Sequence, residues 1–172
     1  QATESADNFV ATGLPSGLFL DVRTGKIAGA TTVIGDHNIT IKAGNFLGFS
    51  DEQTLTIRVL PIAPTFSDET DDFTSSDVLG NSAAINFKLL DVGGEDANVT
   101  VWYGSADKGI VEADWDYNQS MTTLQGAGDL SASLTGLSLG TTYHLRVQAK
   151  NSAGDTWTST AISFTTSATL LP

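Results

Sequence analysis

Four carboxylates crowd one short stretch of this 172-residue chain: "FSDETDDF" supplies Asp68, Glu69, Asp71 and Asp72. Hard divalent cations are held by several carboxylate and carbonyl oxygens, so these four are the candidate calcium ligands, set against the plainer reading of a solvated acidic stretch. "DWDYNQS" places Asp114, Asp116 and Asn118 at the alternate positions of a calcium loop. Gln119 then stands where such a loop needs glycine, and Gln125 where it needs a bidentate glutamate, which argues against that site. "DVGGEDAN", with Asp91, Glu95 and Asp96, reads as a solvated turn. Among the aromatics Phe46, Phe49, Trp115 and Trp157, the two tryptophans are the candidate saccharide contacts; Trp115 equally suits the role of a core plug in its loop.

Catalytic groupings are missing from the sequence. The only histidines are His37 and His144, and His144 alternates with Tyr143 and Leu145, which puts it on a solvent face. Strand-turn-helix nucleophile elbows and Gly-Lys phosphate loops do not occur, so the chain reads as a non-enzyme. No cysteine is present, which removes disulfides, thiolate zinc sites and cysteine nucleophiles. With 20 acidic against 8 basic residues the net charge is −12, so nucleic acid and anionic membrane surfaces are repelled and cations are the natural counter-partners. No run approaches the roughly 20 apolar residues of a membrane helix, and "ATESADN" after Gln1 does not resemble an export leader. Asn38, Asn98 and Asn118 begin N-x-[ST] sequons, about as many as chance provides in a Ser/Thr-rich chain.

The elements that must position these groups are strands. Apolar residues recur with period two in "HNITIKAG" (Ile39, Ile41, Ala43) and "QTLTIRVL" (Leu55, Ile57, Val59), and "GNFLGFSDE" between them reads as a hairpin connection. A second series follows with Ile85, Phe87 and Leu89, then Val99, Val101 and Tyr103, then Leu130, Ala132 and Leu134. It ends with Tyr143, Leu145, Val147 and Ala149, then Ile162 and Phe164. Between the two series, Leu60 to Phe87 carries no Lys, Arg or His. The fold class is therefore all-β, two immunoglobulin-like or fibronectin type III-like sandwiches in series. The expected division is 1–60, an acidic Pro-containing connection 61–74, a second domain 75–167 and a tail 168–172.

Two resemblances sharpen this. "LTGLSLGTTYHLRVQAKNSAGDTW" resembles the end of a fibronectin type III domain, implying that domain over 75–167 with Tyr143 as a corner tyrosine between Leu137, Gly140 and Thr141 on one side and Val147, Ala149, Asn151 and Gly154 on the other. The family's turn proline is Leu139 here, and its second-strand tryptophan is absent. "ATGLPSGLFLDVRTGKIAG", residues 11–29, resembles the cadherin-related immunoglobulin-like repeats of bacterial surface proteins, a likeness extending over residues 1–62. In that family about two strands precede this signature, whereas "QATESADNFVAT" has length for one strand and a turn, so the first sandwich is expected to lack its first strand.

Together these readings imply a structural, non-catalytic module of an extracellular or cell-surface filament, stalk or adhesin. Its partners would be copies of itself or adjacent repeats of a longer chain, and calcium its one cofactor. The incomplete sandwich would be filled by an added strand, with Thr169, Leu170 and Leu171 of the tail as a donor. The alternative is a carbohydrate-binding or spacer module of a secreted polysaccharide-active protein.

Overall fold

The computed structural model describes residues 5–121, 123–124 and 126–169. The chain divides into two compact units, Gln1–Leu60 and Pro61–Pro172. Both are built from strands joined by turns, and among the described residues helix is confined to two single 3-10 turns, Thr70–Asp72 and Glu112–Asp114.

In unit 1, β1 (Asn8–Thr12), β4 (Gly35–Asn45), β5 (Gly48–Phe49) and β6 (Gln53–Val59) form one antiparallel sheet, and β2 (Leu18–Leu20) and β3 (Ile27–Gly29) a two-stranded ribbon. The long β4 is central: Ala11 lies opposite Ile41 and Phe9 opposite Ala43, while on its other side Ile39 faces Leu55 and His37 faces Ile57. Facing residues in an antiparallel pair share a side of the sheet. The period-two pattern therefore gathers Ile39, Ile41, Ala43, Leu55, Ile57 and Val59 on one face, as the sequence predicts, and β1 adds Phe9 and Ala11 to it.

The ribbon is built by the turn chemistry of the signature. The Asp21 carboxylate accepts from the N–H groups of Arg23 at 2.9 Å and Thr24 at 3.2 Å. Asp21 N–H donates to the Lys26 carbonyl and Gly25 N–H to the Asp21 carbonyl, both at 2.8 Å. Gly25, at φ +72°, leaves its missing side chain to the Phe9 ring, whose nearest atoms lie 3.0 Å from where a Cβ would stand.

Unit 2 is a two-sheet sandwich. One sheet runs β11 (Tyr117–Ser120), β10 (Asn98–Gly104), β13 (Thr142–Asn151), β14 (Gly154–Trp157), with β15 (Ile162–Thr165) also on β13. The other runs β12 (Gly128–Thr135), β9 (Ser82–Asp91), β7 (Thr65–Phe66), with β8 (Phe73–Ser76) also on β9. Alternate residues of both inner faces, among them Ile85, Phe87, Leu89, Val99, Val101, Leu134, Leu145 and Val147, are buried. Consecutive strands changing sheet around one such core is the immunoglobulin and fibronectin type III arrangement.

Tyr143 sits at the corner of this sandwich, its ring stacked on Phe164 at 5.8 Å and edge-on to Tyr103 at 6.0 Å. Its hydroxyl accepts the Ser138 N–H at 3.1 Å, so the ring fills the core while the oxygen satisfies the turn before the strand.

Residues 61–74 differ from a free connection. Pro64, Phe66 and Phe73 are buried, β7 and β8 both pair with β9, and Ile62 N–H donates to the Gly93 carbonyl at 3.0 Å. Three of the four acidic side chains of this stretch are exposed, and the apolar anchors lie on either side of them. Asp68, Glu69 and Asp71 are exposed, whereas the Phe66 ring meets Phe87 edge-on at 6.0 Å.

Candidate functional site

The outer face of the β10–β13–β14 sheet carries a connected polar network. Strand parity turns Trp102 outward from β10, because Val101 points into the core, and turns Gln148 outward from β13 between Val147 and Ala149. Register then does what parity cannot: Thr100 lies opposite Gln148, and Gln148 opposite Trp157, so the two tryptophans flank one glutamine. Their ring centroids are 6.1 Å apart with planes tilted by 35°.

Gln148 is only 4% exposed, and its amide is fully engaged. Trp102 Nε1 donates to Gln148 Oε1 at 3.1 Å, and Gln148 Nε2 donates to Glu112 Oε1 at 2.6 Å and to Asp155 Oδ2 at 2.9 Å. Trp157 Nε1 donates to the same Asp155 Oδ2 at 2.9 Å. Indole N–H groups can only donate and carboxylates only accept, so the amide has one workable orientation. These donated hydrogen bonds, that of Gln148 first, hold the Asp155 carboxyl below its ordinary range. Glu112 arrives from the loop 105–116, which folds over the sheet, and its Oε1 lies 3.8 Å from Lys150 Nζ.

That loop is pinned at both ends. At its base Asp116 Oδ2 accepts from Ser105 N–H at 2.8 Å and Ser105 Oγ at 3.1 Å, and these bonds lower its pKa. On its near side Arg146 donates from Nε and Nη2 to the two oxygens of Asp107, at 2.9 and 2.8 Å. Arg146 Nη1 also donates to the carbonyls of Thr158 and Ser159. The guanidinium holds the Asp107 carboxyl at about 2, against an ordinary 3.8. A carboxyl depressed in the folded state stabilises it fully above its unfolded pKa and loses that contribution as pH falls through the folded value. Asp107→Asn should therefore lower the melting temperature by a constant amount above about pH 4. The gap to the parent should close between there and pH 2, as followed by circular dichroism against pH.

The residues singled out in the sequence are distributed differently. Trp157 is in this assembly, but Trp115 is not: it is 7% exposed, buried under its own loop, with Nε1 donating to the Gly109 carbonyl at 3.2 Å. Its place as a surface aromatic is taken by Trp102. Phe46 and Phe49 are 80% and 55% exposed and belong to unit 1. Asp68, Glu69, Asp71 and Asp72 do not converge: among the described residues no group of three or more His, Cys, Asp or Glu side chains is placed to hold a metal ion. Asp72 is drawn inward, accepting from Ser67 Oγ at 2.6 Å and lying 3.8 Å from Lys88 Nζ.

Asp91 accepts the Gly93 N–H of its own turn at 2.8 Å, and the Glu95 carboxylate is lowered by hydrogen bonds from Ser152. Thr169 is exposed, while Leu170 and Leu171 lie outside the described residues. Two sequon asparagines are engaged locally, Asn38 by the Thr56 hydroxyl at 2.8 Å and Asn98 by that of Thr123 at 3.0 Å. Among the described residues no helix is long and apolar enough to cross a membrane.

Comparison with known proteins places one part of the chain. Residues 1–60 match the family model described as a putative Ig domain. No curated protein matches the sequence. Among solved structures, the sensor domain of the anti-sigma factor RsgI4 of Pseudobacteroides cellulosolvens is 18% identical, covering 63% of this chain and 94% of its own, with a TM-score of 0.42. The chicken CNTN1 FN1-FN3 domains are 19% identical over 93% of this chain and 56% of theirs, with a TM-score of 0.44. A fibronectin type III domain derived from human KIAA0970 protein is 18% identical over 63% of this chain and 74% of its own, at 0.37. The strand architecture is all-β and immunoglobulin-like or fibronectin type III-like, and residues 1–60 match the model described as a putative Ig domain.

Proposed function

We propose that the chain is a structural, non-catalytic part of an extracellular or cell-surface filament, stalk or adhesin, with a cadherin-related immunoglobulin-like repeat and a fibronectin type III-like domain in tandem. In this reading unit 1 takes up an added strand, either from an adjacent repeat or head to tail from a neighbouring copy.

One observation carries it. Unit 1 has a sheet with a largely apolar face and little to cover it: among its described large aliphatic side chains only Ile39 is buried, and Leu55, directly opposite on β6, is 42% exposed. The ribbon β2–β3 and the turn before it carry Leu14, Leu18, Leu20 and Ile27, all half-buried, and among the described residues β6 pairs only with β4. A seven-residue edge strand, QTLTIRV, with five Thr, Leu, Ile or Val residues and apolar surface beside it favours further pairing. A strand passed from one copy to the next makes a heterologous contact, which propagates into a fibre when it does not close.

The test is the mass and hydrogen exchange of the full chain. Self-association above the 18.0 kDa monomer, lost on Leu55→Asp, is the expected result. Persistence of that association after removal of residues 168–172 assigns the donor to another segment than Thr169 to Leu171. A monomer with poorly protected unit 1 amides assigns the strand to an adjacent repeat. A monomer whose unit 1 amides are as protected as those of β9 and β13 would overturn the reading, because the sheet would need no further strand.

A further inference from the structure

The Trp102–Gln148–Trp157 assembly has no part in strand addition, and its chemistry points outward. Both indole N–H groups are committed to partners within the protein, so each ring is fixed in orientation while remaining only half-buried. What the two half-buried tryptophans offer is ring surface, in a pair with centroids 6.1 Å apart and planes tilted by 35°, held by a buried glutamine whose amide is engaged.

Two oxygens beside that surface are unclaimed. Glu112 binds Gln148 through Oε1 and Asp155 binds Gln148 and Trp157 through Oδ2; among the described residues Glu112 Oε2 and Asp155 Oδ1 accept no hydrogen bond. On the strands of this face Arg146 is matched by Asp107 and Lys150 by Glu112. Two carboxylates do not make a metal site, and no group of three is present among the described residues. The surrounding outward positions, Asn98, Thr100, Asn118 and Ser120, are hydroxyls and amides.

Rigid aromatic faces bordered by lone carboxylate acceptors and neutral polar groups suit a ligand with apolar C–H faces and many hydroxyl donors, and the −12 charge disfavours an acidic one. We propose that the outer face of the β10–β13–β14 sheet, beside the loop 105–116, binds a neutral saccharide, with a sugar ring stacked on Trp157 and Trp102 and its hydroxyls donating to Glu112 and Asp155.

The experiment is affinity electrophoresis of the full chain through gels containing soluble β-glucan, xylan, mannan, galactan or starch, followed by calorimetry on whichever retards it. At least one neutral polysaccharide should retard the parent chain. Trp157→Ala should weaken that binding by about tenfold or more, while Trp157→Phe, which keeps a ring, retains most of it. Glu112→Gln preserves the acceptor for Gln148 and should weaken binding severalfold at an unchanged melting temperature. Phe49→Ala in unit 1 should have no effect. Retardation by none of the neutral polysaccharides, retardation only by an acidic one, or binding indifferent to both Trp157→Ala and Glu112→Gln would overturn the proposal. Because Trp157 and Glu112 both belong to unit 2, failure here leaves the assembly reading standing.

Discussion

Leu145→Ala is expected to destabilise unit 2 by about 2–5 kcal/mol, the range for emptying a leucine site in a packed core. Leu145 is 0% exposed and sits on β13, the strand that holds its sheet together, with Tyr103 opposite it on β10 and Ile162 opposite on β15. Neighbours fixed by hydrogen-bonded register on both sides cannot move in to fill the space, which places the loss toward the upper part of the range. Urea denaturation followed by tryptophan fluorescence reports it, since Trp102, Trp115 and Trp157 all belong to this unit. A loss below about 1 kcal/mol would mean that this core is loosely packed.

Gly29→Ala should be as damaging in unit 1, for a different reason. A Cβ at Gly29 would stand 2.1 Å from the Gly17 carbonyl oxygen, and one at Gly17 would stand 2.0 Å from that of Ala30. Both glycines also hold φ values that L side chains rarely adopt, +111° and +92°. The two backbones lie against each other with no room for a methyl group, so either substitution must part β2 from β3. A cost of about 3 kcal/mol or more is expected, in a unit with little buried apolar surface to offset it. Gly35→Ala separates the two causes: its φ is +120°, yet nothing lies within 4 Å of the added carbon. That variant should lose only about 1 kcal/mol. Amide spectra decide the matter, with the dispersed signals of Leu18–Leu20 and Ile27–Gly29 lost in Gly29→Ala and kept in Gly35→Ala. Equal effects of the two substitutions would show that backbone conformation, and not the close approach, governs this ribbon.

Much of the fold could be read in the chain because alternation reports directly on faces. Ile85, Phe87, Leu89, Val99, Val101, Leu145 and Val147 are predicted inward by period two and are buried. The turn at Asp21 to Lys26 is legible for a similar reason: its hydrogen bonds run between residues two to five apart, so neighbours in sequence contain the whole mechanism. The stretch 61–74 was harder, because its charged residues dominate composition while the two aromatics that decide its packing, Phe66 and Phe73, are separated by six residues with no alternation between them.

The aromatic site shows the limit most clearly. Parity alone places Trp102 on the outer face, since it stands between Val101 and Tyr103, and nothing in the sequence then names its neighbours. Trp102 and Gln148 are 46 residues apart and meet only because β10 pairs with β13 in one particular register. Trp115 and Glu112 lie three residues apart in a loop without periodicity, and the way that loop folds sends the indole inward and the carboxylate over the sheet.

The sequence by itself determined the strands, the side of the sheet each residue takes and the turn that closes the ribbon, because these depend on bond geometry and contacts a few residues apart. Only the tertiary structure decided that two tryptophans and two carboxylates surround one buried glutamine, and that four carboxylates within five residues do not converge. Such meetings depend on inter-strand register and loop path, which summed packing and hydrogen bonding over the whole unit select and no local pattern encodes.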